Sequence, residues 1–244
     1  MRWFVIAAML FFLAGCGGQD RKVVSTGPGD LRIADAAMAS GLPQTALDVT
    51  RDILRTDPSN ADALMRQGDA LVAMGRPDAA EECYQRILTN DPHSLDALRG
   101  LGRVHLAMGQ PHEAEALFRK ALTIKPGDAA LLNNLGIALD LQDRHTEAQA
   151  AYEAALVRQP SMTAAQVNLG LSLALAGATD RALTLLRPLA SDPSADPRVR
   201  QDLAVALALA GDNDQAGKVL AGVLPQDKVA IALAGYAALK VPAK

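Results

Sequence analysis

Residues 95–128 read LDALRGLGRVHLAMGQPHEAEALFRKALTIKPGD, and the small and cyclic residues of this stretch recur along the chain every 34 residues. The recurring positions form a glycine series (Gly68, Gly102, Gly136, Gly170), an alanine series (Ala46, Ala80, Ala114, Ala148, Ala182, Ala216) and a proline series (Pro58, Pro92, Pro126, Pro160). Glycine, alanine and proline thus recur with the same period of 34 residues. The chain is therefore predicted to consist of repeated structural units.

Each unit has the signals of two helices joined by a tight turn. A second glycine series can end the first helix, and Pro43, Pro77 and Pro111 suit the first turn of the second helix. Asn60, Ser94 and Asp128 are predicted to cap the next unit. The glycine at the eighth place and the alanine at the twentieth let the two helices approach closely, beside large residues such as Phe118.

The period and these positions resemble the tetratricopeptide repeat, whose unit is a pair of antiparallel helices. The predicted fold is all-α: a tetratricopeptide-repeat solenoid of about six helix pairs, followed by a C-terminal capping helix over residues 227–240. The units are 27–60, 61–94, 95–128, 129–162, 163–196 and 197–230. Pro188 is expected to interrupt the second helix of the fifth unit.

The start of the chain has the pattern of an export signal. Arg2 precedes an apolar run over residues 3–13, which is shorter than the roughly 18 residues of a membrane-spanning helix. Leu13-Ala14-Gly15-Cys16 then resembles the lipobox of bacterial lipoproteins, which implies cleavage before Cys16 and lipidation of its sulfur. The alternative is an ordinary signal peptide that ends beside a free cysteine.

This pattern divides the chain into a lipoprotein signal peptide (1–15), a lipidated, Gly-rich flexible tether (16–29) and a repeat domain (30–240). Gly17 follows the cysteine, where an aspartate retains many such lipoproteins at the inner membrane. The resemblance therefore implies the periplasmic face of the bacterial outer membrane, with a lipid anchor.

Composition and motifs argue against catalysis. The net charge is −3 and no block of basic residues is present, which disfavours nucleic acid as a partner. The four histidines do not have metal-ligand spacing, and Cys83 has no nearby histidine or lysine to activate it. We expect no enzyme, no cofactor, no metal site and no small-molecule substrate.

The repeat family implies a binding groove along the first helices of the units. At its groove-facing places the chain has Arg66, Arg99, Arg103, Asn133, Asn134 and Asn168, with Asp69 and Asp140 beside them. Arg99 and Arg103, four residues apart, are predicted to anchor an acidic or C-terminal carboxylate group, and the asparagines to hydrogen-bond a peptide backbone. The alternative is a solvated groove with family-consensus asparagines at 134 and 168.

A lipobox, a short tether and a run of repeats also resemble the TadD family of tight-adherence (Flp) pilus assembly lipoproteins. The stretch DPSADPRVRQDLAVALALAGDNDQA at 192–216 and the ending GYAALK carry this resemblance. It implies a protein-binding scaffold that assembles the pilus secretion machine, with the outer-membrane secretin or other pilus components as partners and a pilotin's role. The alternative is an adaptor lipoprotein for cell-wall hydrolases or envelope proteases.

Overall fold

A computed structural model describes residues 28–238, and this part of the chain is entirely helical, without a strand. It contains thirteen helices: α1 (Pro28–Ala39), α2 (Pro43–Thr56), α3 (Ala61–Ala73), α4 (Pro77–Asn90), α5 (Leu95–Ala107), α6 (Pro111–Ile124), α7 (Ala129–Asp140), α8 (His145–Arg158), α9 (Thr163–Leu175), α10 (Thr179–Ser191), α11 (Pro197–Leu209), α12 (Asn213–Ala221) and α13 (Gln226–Ala238). Six helix pairs and a final helix confirm the predicted fold class.

The helices stack in chain order. Each helix packs against the next, and each odd-numbered helix also contacts the next odd-numbered one, from α1 to α11. The first helices of the units therefore lie side by side and form one continuous face, as a solenoid requires. Within the described residues, the first helix begins at Pro28, two residues before the predicted start of the repeat domain.

The turns within the units follow the predicted chemistry. The glycines of the second series, such as Gly75 and Gly109, have φ between +68° and +92°, a conformation that favours glycine. In the fourth unit Asp143 takes this place with φ 59°. Asn60 and Asp128 accept hydrogen bonds from the first turns of α3 and α7. Ser94 occupies the N-cap position of α5, as predicted, but its side chain makes no capping hydrogen bond.

Large side chains of the second helices fill the space beside the first glycine series. A Cβ atom built on Gly102 would lie 2.5 Å from a ring carbon of Phe118, and one on Gly68 would lie 2.7 Å from the ring of Tyr84. Gly170 stands in the same relation to Leu186. The predicted close approach of paired helices at these glycines is therefore confirmed.

The fifth unit differs from the prediction. Helix α10 runs without a break through Pro188, so the expected interruption of this helix is wrong. A proline inside a helix costs about 3 kcal/mol because one backbone hydrogen bond is lost. Leu186 and Ala190 are buried on either side of Pro188, and we attribute the continuity of α10 to their packing.

Helix α13 covers the end of the solenoid, as predicted, and contacts α11 and α12. Asp202 of α11 is half-buried. Burial raises the pKa of its carboxyl group to about 6, and Asp196 adds to this while Arg198 opposes it. The pKa of Tyr236 on α13 is also raised, by burial and by the charge of Asp202. The last junction of the solenoid therefore contains a carboxylate that is poorly solvated at neutral pH.

Replacing Asp202 by asparagine should increase the free energy of unfolding at pH 7 by about 1 kcal/mol. The whole pKa shift of the carboxyl group corresponds to roughly 3 kcal/mol. The expected gain is smaller because the side chain keeps contact with water. The folded pKa lies above the unfolded value, so the native state binds the proton more tightly. The carboxylate's destabilising effect is absent below about pH 4 and complete above pH 6. Urea unfolding across this range should show a gain that grows with pH; the exposed Asp214→Asn is the control. A gain that is equal at pH 4 and pH 7 would contradict the prediction.

Candidate peptide-binding groove

The face of the first helices carries a cavity of about 480 Å³ between α1, α3 and α5. Its charged lining consists of Asp35, Arg66, Asp69 and Arg103. A second cavity on the same face adds Asp96 and Arg99 to these residues. The three arginines predicted at the groove therefore lie in one place, and we call the surface around these six charged residues the charged groove.

Arg66 is held by the preceding repeat. Its Nε atom lies 2.7 Å and its Nη2 atom 3.0 Å from the two carboxylate oxygens of Asp35, which is a bidentate ion pair between α3 and α1. Arg66 Nη1 also donates to the main-chain oxygen of Asp62 at 3.1 Å. The bond with Asp35 raises the pKa of the guanidinium group. A ligand would have to displace Asp35 to use Arg66 fully.

Arg99 and Arg103 differ in how they are paired. Arg99 Nη2 lies 2.5 Å from Asp96 on the same helix. Arg103 is exposed, and within residues 28–238 no carboxylate oxygen lies within 4.0 Å of its guanidinium group. Among the three arginines of the charged groove, Arg103 therefore has the guanidinium group most available to a ligand.

The predicted asparagines lie further along the same face. Asn133 on α7 is only 5% exposed, and its side-chain oxygen accepts a hydrogen bond of 2.9 Å from Asn168 on α9. Asn134 is half-buried beside them. Asn133 and Asn168 thus join two repeats, and a peptide backbone would have to compete with this bond.

Asp140 belongs to a polar cluster that the sequence does not predict. Its carboxylate accepts hydrogen bonds from the Tyr152 hydroxyl (2.9 Å) and the Ser172 hydroxyl (2.7 Å) and contacts His145 Nδ1 at 2.8 Å. Burial, followed by the charge of Asp140, raises the pKa of Tyr152. The Ser172 hydroxyl reaches His145 only at its main-chain oxygen (3.5 Å), while the imidazole ring bonds Asp140, so the ring is not placed to take the proton of the serine. We interpret the cluster as structural.

Cys83 is buried and donates to Gln67 Oε1 at 3.3 Å. Burial raises the pKa of its thiol to about 11, the opposite of what a nucleophilic cysteine needs. Within residues 28–238 no cluster of side chains could hold a metal ion, and no helix has the length and hydropathy to cross a membrane. Cys16, the predicted lipidation site, lies outside the described residues.

Comparison with protein families identifies the repeats. Models described as "Tetratricopeptide repeat" match residues 31–73 and 65–129, residues 105–169 and residues 163–188. Together these matches run without a gap from residue 31 to residue 188. No curated protein matches the chain.

Solved structures share the fold at low sequence identity. PilF of Pseudomonas aeruginosa has a TM-score of 0.68 at 18% identity, with 87% of this chain and 96% of that chain covered. PilW, described as a widely conserved type IV pilus biogenesis factor, has a TM-score of 0.71 at 22% identity, covering 79% and 90%. The hetero-tetramer Cut9-Hcn1 of the APC/C has a TM-score of 0.75 at 17% identity, but only 42% of that chain is covered. At these identities the likeness concerns the fold.

Proposed function

Because this chain belongs to the tetratricopeptide-repeat family, we propose that it is a non-catalytic scaffold whose first-helix face holds an extended segment of a partner protein. The observation that carries this proposal is the charged groove, where side chains of three successive repeats meet around one cavity. Such a surface offers several charged and polar contacts to one extended chain. It contains no activated nucleophile.

We propose further that the partner belongs to a pilus assembly machine of the tight-adherence type. Two solved structures with this fold, PilF and PilW, carry names or descriptions from pilus biology, and each is covered over most of its length. The sequence adds its resemblance to the TadD family. An outer-membrane secretin segment is the partner that this role requires, with the scaffold acting as its pilotin.

The third part of the proposal is a lipid anchor at Cys16 that places the repeats at the periplasmic face of the outer membrane. Each buried methylene contributes about 0.8 kcal/mol, and two or more acyl chains hold a protein stably. A tether between anchor and groove raises the effective concentration of the groove near a membrane-bound partner. The scaffold then needs only modest intrinsic affinity for its client.

Replacing Arg99 and Arg103 together by alanine should reduce recovery of the client about tenfold in a pull-down from detergent-solubilised membranes, because charge-assisted hydrogen bonds are worth roughly 1.5–3 kcal/mol. The intact protein serves as bait, and retained proteins are identified by mass spectrometry. Recovery of a secretin or other pilus components is the expected result.

Arg51 and Arg55 on α2 provide the matched control, since they are also four residues apart and each pairs with an aspartate of its own helix. Their double alanine variant should retain the client. Unchanged recovery with the Arg99 and Arg103 variant would move the binding site away from the charged groove. Recovery of cell-wall hydrolases or envelope proteases alone would replace the pilus role with that of an adaptor for those enzymes.

A further inference from the structure

Gly100 interrupts the charged groove. The residues one or two repeats away from it in the same register are Arg66, Asn134 and Asn168, all of which carry polar side chains. A Cβ atom on Gly100 would lie 2.6 Å from a ring carbon of Tyr84, because this ring lies between Gly68 of α3 and Gly100 of α5. The first-helix face therefore has a notch at Gly100, with the buried Tyr84 ring beneath it.

Two opposite charges flank this notch. Asp69 and Arg103 occupy the same place in successive repeats, and both line the cavity around Gly100. Asp69 Oδ1 accepts a hydrogen bond of 2.9 Å from the Tyr84 hydroxyl. In the described part of the chain, Asp69 and Arg103 lie more than 4.0 Å from each other and neither has an ion-pair partner.

The other charged side chains of the charged groove form ion pairs with each other. Arg66 is paired with Asp35, and Arg99 with Asp96. The notch therefore presents to a ligand the second carboxylate oxygen of Asp69, which accepts no hydrogen bond from residues 28–238, and the guanidinium group of Arg103, which has no ion-pair partner there. A carboxylate would satisfy Arg103 but would face the charge of Asp69, and an ammonium group would satisfy Asp69 but would face Arg103.

We propose that the notch binds the side-chain amide of a glutamine or asparagine in the partner segment, an inference that rests on the proposed function of this face as a protein-binding surface. The amide oxygen accepts from the guanidinium group of Arg103, and the amide nitrogen donates to the free carboxylate oxygen of Asp69. A neutral amide satisfies both groups without facing a like charge. The notch thereby sets the specificity for one residue of the client.

The test uses the purified full chain in detergent and short alanine–serine host peptides that differ only in one central residue: glutamine, glutamate, lysine or alanine. Binding is followed by NMR through the backbone amide signal of Gly100. We expect the glutamine peptide to bind at least about fivefold more tightly than each of the other three, since like-charge contacts and unpaired groups both cost affinity. The alanine peptide measures the contribution of the backbone.

Two variants should change the preference in opposite directions. Asp69→Asn removes the negative charge but keeps an acceptor for the Tyr84 hydroxyl, so glutamate should become the preferred residue. Arg103→Gln removes the positive charge, so lysine should become preferred. Arg51→Gln, which changes an arginine of α2 outside the charged groove that is likewise paired on its own helix, with Asp48, should leave the glutamine preference unchanged.

Equal binding of all four peptides would overturn the inference, and so would a preference of the unchanged protein for glutamate or lysine. Such a result leaves the pilus role intact, since that role is tested by which proteins the scaffold captures. Conversely, the pull-down could recover only proteins unrelated to pili while the peptide series still shows the glutamine preference. That result would refute the pilus role and support amide binding at the notch.

Discussion

Replacing Phe118 by alanine should lower the free energy of unfolding by about 3–5 kcal/mol, the range for a large aromatic residue removed from a closed core. The ring is 0% exposed and lies over Gly102, in a hydrophobic cluster that also contains Leu98 and Leu131. The substitution leaves a cavity beside Gly102. Because Gly102 has no side chain, the paired helix cannot fill this cavity from that position. Urea unfolding followed by circular dichroism measures the loss.

The same contact predicts a sign change for alanine at Gly102. In the unchanged protein, Gly102→Ala should destabilise by about 1–3 kcal/mol, because the added methyl group meets the Phe118 ring, for which there is no free space. In the Phe118→Ala background the methyl group enters the cavity instead. The substitution should then be neutral or stabilising by up to roughly 1 kcal/mol, which is the helix preference of alanine over glycine.

Gly235→Ala is the control for helix preference alone, since Gly235 lies in α13 with nothing within 4 Å of its added methyl group. It should not destabilise the protein in either background. An equal cost of Gly102→Ala with and without Phe118 would contradict the prediction. The Phe118 ring would then not be the group that excludes a side chain at Gly102.

The parts of the fold that could be predicted from the sequence are those in which one residue imposes a local requirement. Gly102 and Phe118 are 16 residues apart, as are Gly68 and Tyr84, so the small and large partners repeat with the period itself. The positive φ values at the turns are similarly local. Pro188 shows where a local signal fails, because α10 continues through it with Leu186 and Ala190 buried on either side. The missing capping bond at Ser94 has no explanation in the structure.

The pairing within the groove could not be predicted in the same way. The Asp35–Arg66 ion pair joins residues 31 apart, and the Asn133–Asn168 bond joins residues 35 apart. Whether such side chains meet depends on how far one repeat is rotated against the next and on which rotamers the side chains adopt. Gly100 is visible in the sequence, but its role as a notch depends on where the Tyr84 ring lies.

Replacing Cys16 by serine should move the protein from the membrane pellet to the soluble fraction while the repeats stay folded. A serine hydroxyl cannot form the thioether that carries the diacylglyceryl group, so no acyl chain anchors the protein. The change in distribution should be nearly complete, because the chains together contribute about 0.8 kcal/mol for every methylene that enters the bilayer. Fractionation with immunoblotting gives the distribution, and intact mass shows whether acyl chains are present.

Cys83→Ser is the matched control, since Cys83 is the other cysteine of the chain and is buried within α4. This variant should remain in the membrane pellet with the acyl mass intact. Circular dichroism should show the same helix content for Cys16→Ser and the unchanged protein, which separates loss of the anchor from loss of the fold. If Cys16→Ser remained membrane-bound, with an N-terminus cut at a place other than residue 16, the apolar run before it would be an ordinary export signal. The scaffold would then reach its partners by the affinity of its groove alone.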